Sequence, residues 1–105
     1  MITLSNKQRK FLKKSAHHLK PIFQMGKLGL GDEFIEQVDL ALEKRELIKF
    51  NVLQNSDEEV EDAAHQIAEA VDAVVVQVIG HTGILYRPSS NVKYQGLSQE
   101  VAAIR

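Results

Sequence analysis

Hydrophobic positions recur along this chain with two alternating periods, one near 3.6 residues and one of 2, and the alternation predicts its elements. Leu4, Phe11, Leu12, Ser15 and Leu19 fall on one side at helical spacing, while Lys7, Lys10, Lys13, Lys14 and His17 fall on the other. Ser5 followed three residues later by Gln8 fits a capping box. A helix is therefore expected from Ser5 to about His18. Pro21 stops it and biases Lys20 toward extended structure. Ile22 to Met25 reads as a short strand, and Gly26-Lys27-Leu28-Gly29-Leu30-Gly31 as a glycine-rich connector. Asp32 is the expected N-cap of a second helix running to about Arg45, with Phe34, Ile35, Val38, Ala41 and Leu42 as its core stripe.

Leu47 to Leu53 is a second strand. Ile48, Phe50 and Val52 alternate with Lys49 and Asn51, which predicts one buried and one wetter face. A third helix is expected to open at Ser56 or Asp57 and run to about Val71, on a stripe of Val60, Ala63, Ala64, Ile67 and Val71. Val74 to Ile79 is β-branched enough to read as a central strand. Gly80-His81-Thr82-Gly83 is a turn, Ile84 to Arg87 a last strand, and Pro88 its end. The order α-β-α-β-α-β-β implies βαβ crossovers and a four-stranded mixed sheet, mostly parallel, with one hairpin partner at the end. With one strand half wet, the expected fold class is α/β, a compact two-layer sandwich. The domain spans residues 1–90, followed by a tail, 91–105, in which a short helix over 97–104 and a loose tail are both open.

A length of 105 residues suits one domain, and 44% hydrophobic residues suffice for one core. With no Cys, a disulfide frame and a thiolate zinc site are excluded. No stretch approaches the roughly 20 apolar residues of a membrane span, and Met1 to Lys7 does not read as a signal peptide. A soluble, cytoplasmic protein is expected, with no membrane partner. The net charge of −1 hides a strong asymmetry. Residues 1–31 hold Lys7, Arg9, Lys10, Lys13, Lys14, Lys20 and Lys27 and no acid. Residues 32–72 are dominated by acids, with Lys44, Arg45 and Lys49 as their only bases. Such a distribution gives an oriented field with one surface suited to a polyanion.

The sharpest chemical feature is Gly26-Lys27-Leu28-Gly29, between a predicted strand and a predicted helix. Glycines there let a sugar-phosphate backbone approach the main chain, and loop amides with the positive helix end can donate to phosphate oxygens. Lys27 adds a charge. The G-x-x-G loop of KH domains clamps nucleic acid in this way. Gly80 to Gly83 has the same spacing but joins two strands, where glycines serve hairpin geometry; whether His81 reaches a ligand is open. The acid-rich start of the third helix complements the helix dipole. Of the four histidines, His17 and His18 are adjacent and so diverge on a helix, and no H-x-x-x-H pair exists. No nucleophile elbow or Walker loop is present. No catalytic residue, metal ligand or cofactor site is therefore expected.

Several separated segments together resemble one family: Leu4 to Leu12, Gly26 to Leu30, Ala41 to Lys49, Val76 to Gly80, and Leu85 to Pro88. They are similar to the CRM domain in its stand-alone bacterial form, the YhbY family. The resemblance runs from residue 2 to about 90. It implies a fold similar to the C-terminal domain of translation initiation factor three, and RNA binding without catalysis. Bacterial members are associated with precursors of the large ribosomal subunit, so ribosome biogenesis and ribosomal RNA are the implied setting and partner. The family's loop glycines match Gly26 and Gly29, and its intervening positions match Lys27 and Leu28. Its basic first helix matches the lysines above. Gly31 departs from the pattern, standing where a helix-capping Thr or Ser is expected.

The expected RNA-binding residues are thus Gly26, Lys27, Leu28, Gly29, Lys7, Lys10, Lys13, Lys14 and Lys20, in a monomer. Among four phenylalanines and two tyrosines, the phenylalanines read as core, leaving Tyr86 and Tyr94 to stack on bases. Recognition by shape and charge is expected over recognition by sequence. Arg87 divides evenly between an RNA contact and an acid pair. Two rivals compete: a module that docks an acidic protein partner through the basic helix, and a small enzyme whose pocket the sequence does not reveal.

Overall fold

The computed structural model describes residues 2–25, 31–53 and 59–105. Its elements are α1 (Asn6–Ala16), β1 (Phe23–Met25), α2 (Asp32–Arg45), β2 (Leu47–Val52), α3 (Val60–Val71), β3 (Val74–Ile79), β4 (Thr82–Tyr86), a 3-10 turn (Val92–Tyr94) and α4 (Gly96–Ala102). The predicted α/β element order and four-stranded mixed sheet are borne out.

Local chemistry explains the helix boundaries. The capping box at α1 forms as expected: Ser5 Oγ accepts from Gln8 N at 3.1 Å, and Ser5 N donates to Gln8 Oε1 at 2.9 Å. Asp32 is not the N-cap of α2. Gly31 holds that position without a side-chain bond, and Asp32 is the first helical residue, where its charge still complements the helix dipole. Ser56 and Asp57, expected to open α3, lie outside the described residues. α2 and α3 end at Glu46 (φ 64°) and Asp72 (φ 61°), two non-glycine residues in the left-handed region.

The strand order is β1-β2-β4-β3. β1 pairs with β2 in parallel, and both other pairings are antiparallel. The sheet is thus not mostly parallel by pairing, and β3 is an edge strand, not a central one. The cause is the hairpin. Crossover α3 carries the chain beyond β2 by one strand width, and β4 folds back into the gap. The turn is shorter than expected: Gly80 and His81 alone connect the strands, with Gly80 at φ +56°, while Thr82 and Gly83 belong to β4. Gly83 is needed for packing, because a Cβ there would lie 2.5 Å from a ring carbon of buried Phe50.

The expected two-layer sandwich is corrected to a sheet with helices on both faces. On one face, Val38 and Leu42 of α2 and Ala63, Ala64, Ile67 and Val71 of α3 pack on Ile48, Phe50, Val52 and Leu85. On the other, Leu12 and Ala16 of α1 and Val101 of α4 pack on Leu47, Val76, Ile84 and Tyr86. The wet face of β2 is wet only toward its far end, at Lys49 and Asn51. At its start, Leu47 with its neighbours makes an apolar patch, and α1 and α4 remove that patch from water.

Candidate nucleic-acid interface

Burial of Leu12 and Ala16 fixes the roll of α1. Lys7, Lys10, Lys13, Lys14 and His17 are consequently exposed, as is Lys20 just beyond. Among the described residues the ion pairs all involve Arg87, and none joins one of these lysines to a described carboxylate. Lys7 differs in that its Nζ donates to the Arg105 carbonyl at 3.1 Å. Arg9 has a structural role that its place in the basic run conceals. Its Nη1 donates to the carbonyls of Val75 and Val76, each at 2.8 Å, where β3 bulges on the sheet edge.

Gly26, Lys27, Leu28 and Gly29 lie outside the described residues. Their flanks are described: Met25 is buried and pairs with Val52 at the end of β1, and Gly31 caps α2. The structure also gathers cations that the sequence reading left apart. Lys20, Arg45 and Lys49 line a cleft of about 170 Å³ with Leu19, Ile22, Leu47 and Ile48. Lys49 was visible in the sequence only as a polar position of a half-wet strand. That it faces the same side as α1 follows from register.

Arg87 resolves in favour of acids. It pairs with Asp39 and Glu43 and donates to the Val71 carbonyl at 2.9 Å, joining α2, α3 and the end of β4. Glu43 also accepts from the Ser90 hydroxyl and from Ser90 N at 2.9 Å. The Ser90 bonds, with Ser89 and Arg87 adding to them, hold its carboxyl below the usual range. Tyr86 is not available for stacking: it is buried, and burial with the nearby Glu46 charge pushes its hydroxyl up to about 12. Tyr94 is half-buried, with Lys93 Nζ 5.7 Å from its ring centroid. His81 is exposed on the hairpin turn. Larger clefts, of about 650 and 600 Å³, mix the two signs of charge, with Asp39, Glu43 and Asp72 beside Arg87 in one and Glu69 and Asp72 beside Arg9 in the other. Among the described residues no three His, Asp or Glu side chains come together to hold a metal ion.

The arrangement is sided. α1 carries five bases and no acid on one face of the sheet, while α2 and α3 carry most of the described acids on the other. Such a surface can neutralise a row of phosphates. Comparison with known proteins agrees in kind. The CRS1 / YhbY (CRM) domain model matches residues 4–87. A Bacillus subtilis protein named Probable RNA-binding protein YqeI is 48% identical over 90 residues, covering 86% of this chain and 94% of its own. A Haemophilus influenzae protein named RNA-binding protein is 41% identical over 95 residues, covering 90% and 96%. The solution structure of hypothetical protein SAV1595 from Staphylococcus aureus superposes with a TM-score of 0.72 at 42% identity, covering 86% of this chain and 94% of that one.

Proposed function

The chain belongs to the CRS1 / YhbY (CRM) domain family, and from that premise we propose that it binds RNA without catalysis, gripping the sugar-phosphate backbone between α1 and the Gly26–Gly29 loop. The observation that carries this reading is the acid-free row of exposed lysines on α1, held away from the acidic helices by the sheet. Lys10, Lys13, Lys14 and Lys20 form the positive track, Lys7 extends it, and Lys27 adds a phosphate contact within the loop. Gly26 and Gly29 permit the backbone approach, with Leu28 between them. The family resemblance supports a finer reading: a cytoplasmic, monomeric factor acting on ribosomal RNA of large-subunit precursors. Co-sedimentation of the tagged protein with large-subunit precursors tests that step.

The primary test is RNA affinity against salt concentration, for the wild type and for a Lys10→Ala, Lys13→Ala, Lys14→Ala, Lys27→Ala variant. For single strands the log of affinity falls with log salt at about −0.7 per neutralised phosphate. The wild type is expected to show a slope of several phosphates, and the variant to lose both affinity and slope. Gly29→Asp is expected to abolish RNA binding while leaving any protein contact through α1 intact. No RNA binding by the wild type at low salt would remove the phosphate clamp and favour docking of an acidic protein on α1.

A further inference from the structure

The face of the sheet that carries α1 is only half covered. Leu47, Ile84, Tyr86 and Val76 lie under α1 and α4. Beyond them, register places Gln24, Asn51, Thr82 and Ile79 in one row across all four strands: Gln24 opposite Asn51, Asn51 opposite Thr82, Thr82 opposite Ile79. Asn51 alternates with Phe50 and Val52, both buried against α2 and α3, so this row points to the α1 side. Gln24 and Ile79 are exposed, and Asn51 and Thr82 partly so.

The position of the row matters. Side chains on one face of a strand recur about every 7 Å, so one step along β2 leads from covered Leu47 to Lys49, and the next to Asn51. Past Gln24, β1 ends at Met25 and the chain enters Gly26. The row therefore lies next to the end of β1, on the part of this face beyond the residues that α1 and α4 cover.

Its chemistry suits bases better than phosphates. The row contains no charge, and the neighbouring position on β2 is Lys49, not an acid. Thr82 Oγ1 donates to Asn51 Oδ1 at 2.7 Å, which uses one lone pair of that oxygen and fixes the carboxamide, whose NH₂ is a donor. Gln24 offers both a donor and an acceptor. Ile79, 55% exposed, provides an apolar contact at the end of the row.

We propose that this row is a base-reading strip: single-stranded RNA lies with its phosphates on α1 and its bases on Gln24, Asn51 and Ile79. The inference rests on the RNA reading above and adds sequence preference to it. The test uses twelve-nucleotide oligo(U), oligo(A) and oligo(C), with affinities and salt slopes measured for the wild type and for Gln24→Thr with Asn51→Thr, a pair that favours the strand. The wild type is expected to discriminate among the three by tenfold or more. In the variant that spread is expected to collapse while the salt slope stays at the wild-type value, because bases release no counterions. Unchanged discrimination in the variant, or none in the wild type, overturns the strip and leaves the phosphate clamp standing. A loss of slope in the variant makes the row a phosphate contact and also overturns base reading. Failure of the wild type to bind any of the three at low salt removes the clamp and the strip together.

Discussion

Glu46 connects three parts of the molecule. Its left-handed backbone ends α2, and its carbonyl accepts from Arg87 N at 2.9 Å at the end of β4. Its side chain is fully buried, with the carboxylate accepting from Ser89 N at 2.7 Å and from Ser98 N at 3.0 Å. A buried carboxylate without hydrogen bonds is costly, and one bonded to two amides is tolerable. Glu46→Ala orphans both amides and keeps the unfavourable φ. It is expected to destabilise the fold by about 2 kcal/mol or more, read as a lower urea midpoint. Glu46→Gln retains one acceptor and is expected to fall between. Equal midpoints for Glu46→Ala and the wild type would show that these bonds contribute nothing. The sequence shows Glu46 only as one more acid in an acidic stretch. Its burial depends on residues more than forty positions away.

Helix α1 serves the core with one side and solvent with the other. Its capping box was legible because both partners lie within four residues. The core stripe is partly legible: Leu12 stands out by its helical spacing, while the small residue beside it, Ala16, does not, although both are fully buried. Small residues carry little periodicity signal, yet they set how closely a helix approaches a sheet. Leu12→Ala is expected to cost about 2–5 kcal/mol in urea unfolding without altering any charge. RNA bound by the molecules that remain folded should then show the wild-type salt slope. A slope lowered together with stability would mean that the lysines act only when α1 is packed in its native roll.

At the scale of the whole molecule, the sheet separates opposite charges. α2 and α3 lie on the far face from α1, a separation of sheet and helix layers that exceeds the roughly 10 Å Debye length at 0.1 M salt. An exposed acid of α3 such as Glu69 should therefore repel RNA only weakly when it sits on α1. Glu69→Gln is expected to change stability by no more than about 0.5 kcal/mol, to raise RNA affinity less than threefold, and to leave the salt slope unchanged. A tenfold gain or a steeper slope would place the RNA against α3 and contradict a one-sided surface.

The sequence alone determined the α/β class, the element order, the charge asymmetry and the family resemblance. Each of these depends on short-range features: period, caps, turn residues and local composition. Only the tertiary structure decided the placement of β4 between β2 and β3, the covering of both sheet faces, the burial of Tyr86 and the pairing of Arg87 with Asp39. These are long-range contacts, and no local period records which strand lies beside which. The half-open face follows from the same cause. Alternation in β2 showed that Lys49 and Asn51 share a side, but strand register and the reach of α1 determined what lies beside them and what stays uncovered.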